Sequence, residues 1–161
     1  MKRTPDRPRG SKTATKRKVG TKRSAAKAQP VEAGRHPIKP VTGLSLKQLA
    51  RVRKLCLALP ETTEKIAWGS PTFRVKGKLF TMFADKHHGS EHIALWCHAP
   101  KGSQVVLTSS EPERFFVPPY VGKGGWIGVI LPAIGDERLA QIVREAYCVV
   151  APKKLSAALG Q

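Results

Sequence analysis

No Phe, Trp or Tyr precedes Trp68, and Met1 to Pro40 is built largely from Lys, Arg, Ala, Thr, Ser, Gly and Pro. A segment of that composition cannot bury enough apolar surface to offset the entropy lost on ordering, so residues 1–40 are expected to be a disordered basic tail. Folding therefore falls to residues 41–161, a length that supports one hydrophobic core. One α+β domain behind a tail is the expected organisation.

Charge narrows the partners. Lys and Arg number 29 against 11 Asp and Glu, a formal charge of +18. Residues 1–40 hold thirteen of those cations against Asp6 and Glu32, or 13 − 2 = +11, which leaves 16 − 9 = +7 for the remainder. Both parts are basic, which favours a polyanionic partner. In the tail, Lys16, Arg17 and Lys18, then Lys22 and Arg23, then Lys27, are separated by small residues, a pattern like that of linker-histone tails in composition only. A flexible polycation gains affinity for nucleic acid by releasing condensed counterions and needs no fixed geometry. A solubilising extension is the plain alternative. A transit peptide would need an amphipathic apolar face, which residues 1–40 lack. No apolar run has the length of a signal core or a membrane span, so a cytoplasmic place, with nucleoid association open to it, is expected. Cys56, Cys97 and Cys148 are odd in number, far apart and set among apolar residues, as reduced core thiols are.

Periodicity gives the elements. Ser45 is placed to cap a helix, with Gln48 completing a capping box and Leu44 stapling onto Leu49. Leu49, Val52, Cys56 and Leu59 then recur at helical spacing, Lys47, Arg51 and Lys54 take the other side, and Pro60 stops the run. Glu64 to Trp68 reads as a strand, Gly69-Ser70-Pro71 as a turn, and Thr72–Val75 with Lys78–Phe83 as a hairpin closed by Lys76-Gly77. In that register Phe73, Val75, Phe80 and Met82 share one face, with Arg74 and Leu79 on the other. Asp85 to Glu91 is a polar loop and His92 to His98 a strand; Gly102–Leu107 and Glu111–Phe116 read as short helical pieces. Trp126 to Leu131 is a strand. Asp136 opens an amphipathic helix with Leu139, Ile142, Val143, Ala146 and Tyr147 at core spacing, and a last short helix follows Pro152. The fold class is α+β in two layers: a single antiparallel sheet with helices packed on one face.

Several stretches together resemble the bacterial MmcQ/YjbR-like proteins: Leu59-Pro60-Glu61, Trp68 to Val75 with Gly77-Lys78 and Phe80, Pro118-Pro119-Tyr120-Val121 with Gly125-Trp126, and Ala146-Tyr147 with Val150 to Leu155. The resemblance spans about Leu44 to Leu159 and leaves the tail outside it. It implies a single antiparallel sheet with helices on one side, similar to frataxin-like and secretion-chaperone-like folds, and a DNA-binding family label. It implies no catalytic or binding residues.

Chemistry-bearing residues are few. Arg74, Lys76 and Lys78 crowd the hairpin, where they either lie along a phosphate backbone or serve as solvated charges that discourage edge pairing. Gly122-Lys123-Gly124-Gly125 sets a cation among glycines whose amides are candidates to cup an oxyanion, but the P-loop spacing is missing. Trp126 beside it is a stacking platform or, by preference, a core anchor, and Trp68 and Trp96 receive the same reading. His87, His88, His92, Cys97 and His98 have a metal flavour, yet strand alternation puts Cys97 opposite His92 and His98. No catalytic motif occurs, and Glu61 and Glu64 read as local caps or surface charges. Lys153 and Lys154 open the last helix. The expected function is non-enzymatic, weakly sequence-specific binding of nucleic acid, DNA before RNA, through the tail and these basic loops. No cofactor, metal, membrane or small-molecule substrate is indicated. The alternative is a protein-interaction or chaperone-like module with a solubilising tail.

Overall fold

The computed structural model describes residues 42–160. The expected tail, with Lys16, Arg17, Lys18, Lys22, Arg23 and Lys27, lies outside them. The elements are α1 (Gly43–Leu57), β1 (Thr62–Ala67), β2 (Ser70–Val75), β3 (Lys78–Asp85), β4 (Ile93–His98), α2 (Ser103–Ser110), β5 (Phe115–Phe116), β6 (Trp126–Ile130), α3 (Asp136–Val150) and α4 (Lys153–Ala157). The strands form one six-stranded sheet in the order β1-β2-β3-β4-β6-β5, every pair antiparallel.

Helix α1 starts earlier than its capping signals suggest. Thr42, not Ser45, is the N-cap, and its Oγ1 accepts from the Ser45 amide at 3.3 Å. Ser45 is therefore inside the helix and buried beside Gln48, Leu49, Val52 and Cys56, while Leu44 is exposed rather than stapled. A hydroxyl three residues upstream satisfies the same orphan amides and lengthens the buried face by most of a turn. The expected basic outer face is also partly consumed. Arg51 donates from Nη1 to Leu131 O at 3.0 Å and from Nη2 to Ile134 O at 2.7 Å, and it pairs with Asp136. Arg53 holds Glu64 in a bidentate pair at 2.7 and 2.9 Å.

Two tight hairpins build the first half of the sheet. Lys76-Gly77 turns as expected, with φ of 50° and 79°. The preceding turn is Trp68-Gly69, with φ of 52° and 73°, and not Gly69-Ser70-Pro71. Two left-handed residues in succession match the strand twist in a two-residue loop, so Ser70 and Pro71 are free to join β2.

The assignment of faces changes at β3. Phe73 pairs with Thr81 and Arg74 with Leu79, so Phe80 is an extra, bulged residue. The bulge turns Phe80 into the helix-side core with Phe73 and Val75, whereas Met82 and Leu79 lie on the opposite face. Strict alternation, which had put Met82 with Phe73, fails because one residue is inserted in the ladder. Glu111–Phe116 is not helical either. Phe115 and Phe116 pair with Val129 and Gly128 as β5. A Cβ on Gly128 would stand 2.3 Å from the Phe116 Cζ, so the ring occupies the space a side chain there would need.

Helices cover one side of this sheet. Leu49, Val52 and Cys56 of α1 and Leu139, Ile142, Val143, Ala146 and Tyr147 of α3 pack on Phe73, Val75, Phe80, Leu95, Cys97, Ile127 and Val129, with Leu107 and Leu155 at the margin. Tyr147, fully buried, donates its hydroxyl to Pro60 O at 2.8 Å and meets Phe80 edge-on at 5.6 Å between centroids. Asp136 and Glu137 in the first turn of α3 complement its dipole. The second, smaller cluster on the far side, Met82, Ala84, Ala94, Trp96 and Trp126, receives nothing from any helix. Among the described residues no helix is long and apolar enough to cross a membrane.

Candidate binding face and aromatic cavity

Residues paired directly across an antiparallel sheet point to the same side. Lys65, Thr72, Met82, Trp96, Gly128 and Phe116 therefore form one row on the helix-free face, and Thr63, Arg74 and Leu79 form its neighbour. The two acidic residues of the strands, Glu64 and Asp85, pair with Phe73 and Ile93 and so belong to the helix side. The helix-free face thus carries Lys65 and Arg74 and no strand carboxylate.

A cavity of about 290 Å³ opens on this face. Leu79 and Met82 of β3, Trp96 of β4 and Trp126 of β6 supply its sheet side. Tyr120 and Val121 arrive from the segment between β5 and β6, both His87 and His88 from a 3-10 turn after β3, and Trp68 from the β1–β2 turn. His88 lies within 25° of parallel to Trp96 at 6.2 Å between centroids and meets Tyr120 at 4.6 Å. The lining is almost wholly apolar, and its aromatic content is high.

The lining also carries conformational and polar costs. Trp68, His88 and Tyr120 have φ of 52°, 51° and 64°. Left-handed backbone is a true outlier for bulky residues and persists only where the surroundings enforce it. Trp96 is 2% exposed, and its indole Nε1 is buried without a hydrogen-bond partner among the described residues. An unpaired buried donor costs about 1–3 kcal/mol.

The segment that brings Tyr120 is itself fixed. Gln104 of α2 donates to Gly122 O at 2.7 Å and to Trp126 O at 2.6 Å. A Cβ on Gly122 would stand 2.4 Å from Val117 Cγ1, so glycine is required for the close approach. The amides of Gly122, Gly124 and Gly125 donate to Pro118, Val121 and Gly122 carbonyls at 3.0, 2.9 and 3.0 Å. They are spent within the loop, which removes the anion cup suggested by Gly122-Lys123-Gly124-Gly125. Lys123 itself sits on this turn next to the cavity wall.

The other expected site residues separate. Arg74 lies on the helix-free face and donates to Gly77 O at 3.2 Å, with its Nε buried and without a partner among the described residues. Lys76 is paired with Glu61, so it is not a free member of a hairpin cluster. Lys78 is exposed on the same hairpin, while Lys153 and Lys154 open α4, away from these strands in sequence. Glu61 and Glu64 are ion-pair partners, as surface charges should be. No group of three metal-ligating side chains occurs among the described residues. The thiols are free; burial pushes those of Cys56 and Cys97 far above the ordinary range, which suppresses thiolate chemistry. Burial lowers the His98 pKa.

The core-anchor reading holds for Trp96 and Trp126 but not for Trp68, which is 51% exposed. What the sequence reading missed is that all three tryptophans of the chain line one cavity. A signal for it exists in β4, where Ile93, Leu95 and Cys97 are apolar on one side and Ala94 and Trp96 on the other. A strand apolar on both sides predicts that both sheet faces are covered.

A model of the YjbR family matches residues 57–149. Among solved structures, the crystal structure of Deinococcus radiodurans protein DR2400, a DUF419 domain, matches with a TM-score of 0.57 and 19% identity, over 70% of this chain and 87% of that one. At that identity the likeness concerns the fold alone. No curated protein matches the chain.

Proposed function

This chain belongs to the YjbR family, and from that premise we propose that it is a non-enzymatic nucleic-acid-binding protein that holds the phosphate backbone with weak sequence selectivity. The observation that carries the reading is the charge segregation of the sheet, whose helix-free face presents Lys65 and Arg74 and no strand carboxylate. Lys123 adds a cation on the loop that carries Val121 of the cavity, and the thirteen cations of residues 1–40 add a sequence-independent attraction. Backbone contact suits these residues better than groove reading, because α3 offers only Arg138 and Arg144 as cations and Arg144 bonds to Leu159 O at 3.3 Å. DNA is the first polymer to test, ahead of RNA.

Anisotropy of labelled single-stranded DNA, duplex DNA and RNA with the full chain across a salt series tests this. Affinity should fall by about 10³- to 10⁵-fold between roughly 50 and 200 mM salt if about 6–10 phosphates are engaged. Arg74→Ala and Lys123→Ala should each reduce the salt slope by about one. Flat salt dependence, or no binding at the lowest salt, refutes the proposal. The competing protein-interaction reading rests on the exposed Val105 and Val106 of α2, 66% and 64% accessible, and gains if no polymer binds.

A further inference from the structure

We propose that the aromatic cavity receives one unstacked base of a single-stranded nucleic acid, held by ring stacking. This rests on the nucleic-acid reading and adds to it the form of polymer and the point of contact. Three observations converge. The cavity, at about 290 Å³, sits at the low end of ligand pockets, roughly 300–1,000 Å³, a size for one ring system. Its concave shape excludes a base still stacked in a duplex, which would first have to be flipped out. Its walls are tryptophan, tyrosine and histidine rings, and base–aromatic stacking tolerates any base because every base has a π-face.

The third is electrostatic. Arg74 pairs across the sheet with Leu79 of the lining, Lys123 follows two residues after the lining residue Val121, and the sheet face carries no strand carboxylate, which suits a ring tethered to phosphates.

The three tryptophans make the chain its own reporter, since all of them line the cavity. The full-length protein is titrated with oligothymidylate, with an abasic strand of equal length and with a duplex, following tryptophan emission and the anisotropy of a labelled strand together. Oligothymidylate should quench emission saturably; the abasic strand and the duplex should bind without comparable quenching. Trp68→Ala with Tyr120→Ala, at positions 51% and 79% exposed and therefore safe for folding, should weaken oligothymidylate by about 5- to 100-fold. The same pair should leave the abasic strand unaffected. Binding without quenching, equal quenching by the abasic strand, or affinities unmoved by these variants overturns the cavity proposal alone. Absence of any anisotropy change at low salt overturns the nucleic-acid reading, and this one with it.

Discussion

Arg51 stitches α1 to the chain entering α3, and replacing it tests whether main-chain carbonyls or the facing carboxylate carry that junction. Its guanidinium makes bonds of 3.0 and 2.7 Å to Leu131 O and Ile134 O and a further one to Gln48 Oε1 at 3.2 Å, with the side chain 19% exposed. A hydrogen bond to a charged group contributes about 1.5–3 kcal/mol, so the two carbonyl bonds sum to about 3–6 kcal/mol before solvent screening. Taking the lower end for a partly exposed group gives about 3 kcal/mol, or a melting shift of about 10–15 °C for a domain of this size. Asp136, the ionic partner, is 83% exposed, and an exposed ion pair contributes only about 0–1 kcal/mol. Arg51→Met preserves helix propensity and the aliphatic stem. Thermal and urea melts of the full-length protein should therefore show a large loss for Arg51→Met and a small one for Asp136→Asn. If both variants melt with the parent protein, or if Asp136→Asn is the more damaging, the assignment to the carbonyls is wrong.

Gly128→Ala should destabilise by about 1–3 kcal/mol, because the new methyl would overlap the Phe116 ring. In a Phe116→Ala background the same change should be neutral or mildly stabilising, since alanine orders a strand at lower entropic cost than glycine; additive urea-melt energies across the cycle would exclude the clash. For His98, burial lowers the pKa below its ordinary 6.5, so between the two values the unfolded chain binds the proton more readily than the folded one. Its contribution to stability is therefore present above 6.5 and is lost as pH falls through the folded-state value. His98→Gln should flatten that acid limb of a pH series of melts, and an unchanged limb would assign it to other groups.

Much of the scaffold was legible because its signals are local. The core face of α3, the Lys76-Gly77 turn, the stop at Pro60 and the one-sided placement of helices all follow from spacing and turn chemistry, and the family resemblance spans the same stretch. The failures share a cause. Thr42 displaced Ser45 as the cap because either hydroxyl meets the local requirement, and which one serves depends on what Ser45 packs against. Phe115-Phe116 looked helical until β6 offered it a ladder and Gly128 a hollow for the ring.

The sequence by itself determined that residues 1–40 hold thirteen cations and no aromatic residue, that the chain is strongly basic, and where most helices and strands of the described residues lie. Composition and short-range periodicity suffice for those, because burial, charge and propensity act within a few residues. Only the tertiary structure decided which side of β3 Met82 occupies, that Lys76 is committed to Glu61, and that Trp68, Trp96 and Trp126 meet around one cavity. These depend on a single bulged residue at Phe80 and on segments distant in sequence converging on one sheet face. An inserted residue reverses the facing of everything after it in a strand, and no local pattern records which partner a side chain will meet across the sheet.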